Sequence, residues 1–236
     1  MNTDPLTLAL ALRHQHHRRE RFQPVRDGGH LLTLEAAYRV QAHHVAQVMR
    51  ERACAIAGYK IGLTSAAMQE MCGIGHPVHG PVFDDRVRHG AAAVSLAAYG
   101  RLGVEFEIAV RLGQDLHPAP GEDALQAAAR AVDAVAIAME LVDDRQADYA
   151  TLDAPSLVAD NAWNAGVVLG PWVPVFDGLG GLPARVLLGG APAEDGLVGI
   201  GAAHPFASLA WLAAAFAAQG RGLARGSFVM TGSIAR

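Results

Sequence analysis

The strongest chemical signal in the sequence is a pair of glutamates one residue apart, in Val104-Glu105-Phe106-Glu107-Ile108-Ala109-Val110. On an extended strand, alternation puts Val104, Phe106, Ile108 and Val110 on one face and both carboxylates on the other. Same-face neighbours on a strand sit roughly 6.6 to 6.8 Å apart at the backbone. The two side chains can therefore converge, and like charges held that close repel unless a cation neutralises them. A solvated outer face of an amphipathic strand has the same spacing. Glu140 tips the balance, because it follows Val135-Ala136-Ile137-Ala138-Met139, a run too apolar for a surface strand. A carboxylate there needs a raised pKa, a basic partner or a metal ion. Three carboxylates with no Cys or His nearby in sequence suit a hard, oxygen-loving ion, Mg²⁺ or Mn²⁺, rather than zinc.

Lys60 is the second candidate. It lies in Gly58-Tyr59-Lys60-Ile61-Gly62-Leu63-Thr64-Ser65, an apolar strand whose glycines allow close backbone approach. Such a lysine either snorkels or pairs structurally, or serves a site. Its ammonium is expected to share the cavity of the glutamates, because no other cluster of charge is available to offset its burial. Two polar turns, Glu140-Leu141-Val142-Asp143-Asp144-Arg145 and Val158-Ala159-Asp160-Asn161-Ala162, stand at strand ends, where side chains cap backbone groups or reach a site. The histidine pairs His16-His17 and His43-His44 split across helix faces without i, i+4 spacing and read as surface residues. Gly178-Leu179-Gly180-Gly181 and Gly199-Ile200-Gly201 lack the spacing of a phosphate loop or dinucleotide fingerprint, and no Gly-x-Ser-x-Gly elbow occurs.

The elements that must position these residues read as α+β. Thr3 and Asp4 before Pro5 predict a helix to about Arg21, and Thr33 predicts a second to Arg50. From Ala55 onward, short apolar runs separated by Gly, Pro and Asp predict strands. An Ala-rich helix from about Glu122 to Asp133 and another from Pro205 to Gln219, ended by Gly220, interrupt them. The organisation is thus a helical N-terminal segment, residues 1–52, on a β-rich catalytic core, residues 53–236. A chain of 236 residues supports a core burying roughly 70% of the unfolded surface. No apolar run is long enough for a membrane span, and the N-terminus lacks the pattern of a secretory signal. Cys54 and Cys72 have no scaffold spacing, so they read as reduced and the protein as cytoplasmic. With a net charge of −4, the basic run from His14 to Arg21 reads as a solvated helix face, and no nucleic-acid partner is expected.

In order along the chain, the 58–65 segment, Val-Glu-Phe-Glu-Ile-Ala (104–109), Glu-Leu-Val-Asp-Asp-Arg (140–145), Val-Ala-Asp-Asn-Ala (158–162) and Met-Thr-Gly-Ser (230–233) resemble a known family. It is that of the 2-keto-4-pentenoate hydratases and related 2-oxo acid decarboxylases, in the fumarylacetoacetate hydrolase superfamily. The resemblance implies a twisted, mostly β core, a homo-oligomer, and Mg²⁺ or Mn²⁺ held by Glu105, Glu107 and Glu140. It also implies Lys60 as proton donor or electrostatic support, and Thr64, Asp160, Asn161 and Thr231 as substrate-binding residues. The implied reaction, of the kind used in aromatic catabolism, adds water to a 2-hydroxy-2,4-dienoate to give a 4-hydroxy-2-oxo acid. The alternatives are decarboxylation of a 2-oxo-enedioate, or a catalytically silent member that binds a small acid. Three departures bear on this choice. Val78 stands where hydratases often carry an acidic residue, and Trp163 stands where relatives have a small one. The sequence stops at Arg236, where the family usually continues with strands; if the protein ends here, exposed strand edges or a rearranged sheet are expected in the core.

Overall fold

The structure, a computed structural model, describes residues 3–199 and 204–235; Ile200 and Gly201 of the second glycine run, and Arg236, lie outside the described residues. Helix α1 (Pro5–Arg18) begins where the Asp4 carboxylate accepts from the Leu6 N–H and Pro5 occupies the first turn. A short hairpin, β1 (Arg26–Asp27) and β2 (His30–Leu31), leads to α2 (Leu34–Arg52), capped by the Thr33 hydroxyl. There follow β3 (Ile56–Gly62), α3 (Ala66–Met71), β4 (Val78–Phe83), β5 (Val87–His89), β6 (Leu102–Leu112), α4 (Ala124–Ala131) and β7 (Val132–Asp143). The rest comprises α5 (Ala154–Ala159), β8 (Asn164–Leu169), β9 (Val173–Pro174), β10 (Pro183–Leu188), β11 (Ala191–Leu197), α6 (Pro205–Ala217) and β12 (Phe228–Ser233).

The main sheet runs β4-β3-β12-β6-β7-β8-β5, with β9 added to β7, while β10 and β11 form a separate hairpin. Strand β12 lies between β3, to which it is parallel, and β6, to which it is antiparallel. It is thus an interior strand paired on both edges. One sheet face carries Ile61, Ile108, Val110 and Val229 against α4 and α6; the other carries Ala109, Ala138, Val167 and Met230. A further cluster joins α1 and α2, through Leu12 and Val40, to Leu157 and Val158 of α5 and to Trp163. No described helix is long and apolar enough to cross a membrane.

Several expectations need correction. Helix α1 stops at Arg18, where Arg19 adopts a left-handed conformation, and α4 passes directly into β7 at Val132, a β-branched residue in extended conformation. The 135–139 run is not wholly interior: Ile137 is 71% exposed. The strand alternates, with Ala138 and Glu140 inward and Ile137 and Met139 outward. His44 is buried, because α2 packs against both α1 and α5, and His16 bonds to the buried Asp160 carboxylate at 2.6 Å. Neither is a simple surface histidine.

Candidate metal centre

The β6–β7 pairing sets Glu105 directly opposite Glu140, and opposed residues of an antiparallel pair project to one face. Glu107, two positions along, joins them. One carboxylate oxygen from each of the three lies within 4.8 Å of the others. Glu107 and Glu140 are 0% exposed, while Glu105 sits at the open side. Lys60 enters from β3, one strand beyond β12, and its Nζ reaches Glu140 Oε1 at 3.2 Å. It is 4% exposed, so it does not snorkel.

The two buried glutamates are held alike. Glu140 Oε1 accepts from Asn164 Nδ2 at 2.8 Å as well as facing Lys60. Glu107 Oε2 accepts from the Gly232 N–H at 2.8 Å. The second oxygen of each, Glu140 Oε2 and Glu107 Oε1, is buried without any partner. Unpartnered buried carboxylate oxygens are costly in a folded protein. Together with Glu105 they form an all-oxygen donor set of the kind hard divalent cations take. The residues therefore fit a divalent ion, and nothing in the donor set favours a soft one.

Electrostatics point the same way. Burial pushes the Glu107 carboxyl well above the usual carboxylate range, with the charges of Glu140 and Glu105 adding to it. Burial also raises Glu140, although the Lys60 ammonium opposes it. Burial alone would lower Lys60, but Glu140, Glu105 and Glu107 together outweigh it and raise it, so Lys60 is an ammonium. One ammonium leaves three converging carboxylates short of positive charge, which a dication would supply.

The four residues implied as substrate-binding fall in different places. The exposed Thr64 lies against Gly232, where a Cβ would meet Thr64 Oγ1 at 2.6 Å, and so stands beside the peptide that holds Glu107. The Thr231 hydroxyl is committed to the Ile108 carbonyl at 2.8 Å. Asn161 Nδ2 donates to the Pro81 carbonyl at 3.0 Å. Asp160 is sealed in a buried ion pair with Arg145 and bonds to His16; these charges outweigh burial and hold its carboxyl well below the usual range. Sequence reasoning did not single out Asn164 or Gly232, whose signals are only a polar residue at a strand start and the glycine of a Thr-Gly-Ser turn.

A cavity of about 260 Å³ lies next to this region, walled by α1, α2 and residues 160–165. Arg13, Arg52 and Arg145 of its wall are paired with Glu51, Asp85 and Asp160, so most of its positive charge is already neutralised. Asn164 belongs both to this wall and to the glutamate cluster.

The mixed sheet and its buried carboxylate cluster define the class, and comparison with known proteins agrees. Residues 74–236 match the fumarylacetoacetate hydrolase C-terminal family, and the chain belongs to that family. It is 33% identical to a 2-hydroxyhexa-2,4-dienoate hydratase of Comamonas testosteroni, over 90% of this chain and 80% of the relative. It is 30% identical to a 4-oxalocrotonate decarboxylase of a Pseudomonas species, over 89% and 80%. Among solved structures, the 4-oxalocrotonate decarboxylase of Pseudomonas putida G7, complexed with magnesium and adipate, superposes with a TM-score of 0.87 at 28% identity. That superposition covers 98% of this chain and 88% of the other.

Proposed function

We propose that the protein is a divalent-metal-dependent lyase that adds water to a 2-hydroxy-2,4-dienoate to give a 4-hydroxy-2-oxo acid. The observation that carries this reading is the paired arrangement of Glu107 and Glu140, each with one oxygen clamped by a protein donor and one left buried and unpartnered beside a buried ammonium. Glu105, Glu107 and Glu140 would hold the ion, Mg²⁺ or Mn²⁺, which supplies Lewis-acid polarisation of the substrate's 2-oxo group. Lys60 would hold a fixed positive charge beside the negative charge that grows on the substrate oxygen, and would serve as its proton donor. Burial keeps this charge in a low-dielectric setting, where it acts more strongly than in water. Thr64, at the exposed rim, is suited to bind the substrate's polar end. Asp160, Asn161 and Thr231 support the site by shaping its walls.

A specific observation favours a second reading, decarboxylation of a 2-oxo-enedioate. Val78 is fully buried opposite Gly62. A Cβ placed at Gly62 would stand 3.3 Å from Lys60 Nζ and 3.6 Å from Val78 Cγ2. The position that hydratases often fill with an acid is therefore a buried apolar residue on the strand beside the lysine strand, with no second carboxylate there to handle water. Of the two relatives described above, one is a hydratase and one a decarboxylase.

One assay separates the readings. The enzyme is supplied with 2-hydroxypenta-2,4-dienoate or with a 2-oxo-enedioate, with and without Mg²⁺ or Mn²⁺, while product formation and carbon dioxide release are followed. Metal-dependent loss of the dienoate without carbon dioxide supports hydration. Metal-dependent release of carbon dioxide from the enedioate, at least as fast, supports decarboxylation. No turnover of either substrate leaves the silent, acid-binding reading. The family resemblance also leads us to propose a cytoplasmic homo-oligomer, which cell fractionation and light scattering test.

A further inference from the structure

We infer that Asn164 is a positioning residue that keeps one oxygen of Glu140 free for the metal ion, and that the left-handed turn before it exists to aim it. The inference rests on the metal-site reading above.

The geometry at Glu140 poses a problem that Asn164 solves. A buried carboxylate facing a lone ammonium can offer it one oxygen or both. If Glu140 offered both, Lys60 would occupy both of its oxygens and the cation would lose a ligand. The Asn164 Nδ2–H donates to Oε1 at 2.8 Å, so that the oxygen already facing Lys60 receives both donors and Oε2 is left buried and unpartnered. The amide is fixed in this sense because the reverse orientation would set Asn164 Oδ1 against Oε1, two acceptors face to face. Glu107 has the same arrangement with a backbone donor, Gly232. Only Glu140 depends on a side chain for it.

That side chain is delivered by an unusual backbone. Asn161, Ala162 and Trp163 have φ of 51°, 47° and 59°, three consecutive non-glycine residues in the left-handed region. The turn links the end of α5 to Asn164, the first residue of β8. Strain of this kind persists only where surroundings over-determine it, and here they do. Asn161 bonds to the Pro81 carbonyl and presses on Gly80, where any Cβ would collide with its Oδ1. Trp163 stacks edge-on against Phe22 with ring centroids 5.0 Å apart. Asp160, at the start of the turn, is gripped by Arg145 and His16. Gly80 is the register partner of Lys60, so one turn braces the lysine strand and aims the amide at the glutamate that lysine faces.

The test measures Mn²⁺ affinity of the metal-stripped full chain by calorimetry, alongside its thermal melt, for the parent, Asn164→Leu, Asn164→Ala and Asn164→Gln. We expect Asn164→Leu, which keeps the branched heavy-atom shape but removes the donor, to bind Mn²⁺ at least about tenfold more weakly with a melt close to that of the parent. Asn164→Gln, which keeps the donor, should recover most of that loss. Should Asn164→Leu fail to fold, Asn164→Ala decides on the same readout. A parent that binds Mn²⁺ with both donorless variants matching it overturns the role of Asn164 while leaving the metal site standing. A parent that binds no Mn²⁺ overturns the metal site and this inference with it.

Discussion

A carboxylate buried without a partner must hold a proton, a cation or a strong donor, and Glu107 and Glu140 show how one cluster can be prepared for the second of these. Their free oxygens point to a direct expectation: Glu107→Gln or Glu140→Gln should abolish saturable Mn²⁺ binding in calorimetry, while the isosteric change leaves the fold intact. Lys60 should behave differently. Lys60→Ala is expected to lower kcat by about 10²- to 10³-fold while the variant still binds Mn²⁺, because the lysine supplies charge to the reaction and no donor to the ion. A Lys60→Ala enzyme with near-normal turnover would return the residue to a structural role. Two buried histidines set a third expectation. Burial lowers His44 to about 3 and His79 to about 4, so between those values and about 6.5 the unfolded chain binds protons that the folded chain does not. The contribution is complete above pH 6.5 and is lost as the pH falls toward 4, by at most about 1.4 kcal/mol per unit for each group. The buried Glu107 and Glu140 carboxyls, raised by burial, contribute with the opposite sign, so the check is a difference: between pH 7 and pH 5 the melting temperature of His44→Leu should fall less, or rise more, than that of the parent. At this scale the glutamates and the lysine were legible, because alternation and an apolar neighbourhood are local. The burial of His44 was not, since it depends on α5, a helix more than a hundred positions away in sequence.

Among the elements, β3, β12, β6 and β7 form the frame of the site, and their close packing rests on small residues at defined positions. At Gly58 a Cβ would run into the Phe228 carbonyl oxygen across the parallel β3–β12 pair, and backbone cannot step aside as a flexible side chain can. Gly58→Ala should destabilise by roughly 1 to 3 kcal/mol, read as a lower denaturant midpoint at unchanged slope. The left-handed turn offers the opposite case. At Ala162, with φ 47° and ψ 36°, a left-handed alanine costs about 1 to 2 kcal/mol, against about 0.5 to 1 kcal/mol for the extra freedom a glycine loses. Strand and helix types followed from periodicity and capping residues, such as Thr33 before α2. What could not be read locally was the inner and outer face of β7. Both faces carry apolar residues, and only the sheet's neighbours decide that Ala138 is buried and Ile137 is open.

For the whole molecule, a site made of charges drawn from separate strands couples ligand binding to folding. An ion that binds only the folded chain stabilises it by mass action, by about 2.7 kcal/mol at a hundred times its dissociation constant. Mn²⁺ should accordingly raise the melting temperature of the metal-stripped protein and a chelator should reverse the shift, whereas Glu140→Gln should be indifferent to both. The α+β layout was legible from capping residues and apolar periodicity, and the family from five ordered motifs. The order of strands in the sheet was not, because pairing partners far apart in sequence leave no periodic trace.

Strand β12 has a consequence for how the protein comes into being. Within the sheet, β12 is the strand that joins the half-sheet of β3 and β4 to the meander of β6, β7 and β8, pairing with β3 through residues 228–230. The meander closes through nearby segments, whereas seating β12 beside β3 demands that residues numbered near 60 and near 230 find one another, a slow search of high contact order. The two glutamate strands can therefore assemble early and the lysine arrives late. During refolding, amide protection of β6 and β7 should appear before Mn²⁺ binding returns, because the Gly232 clamp on Glu107 arrives with β12, and the lag between the two clocks the docking of a single central strand.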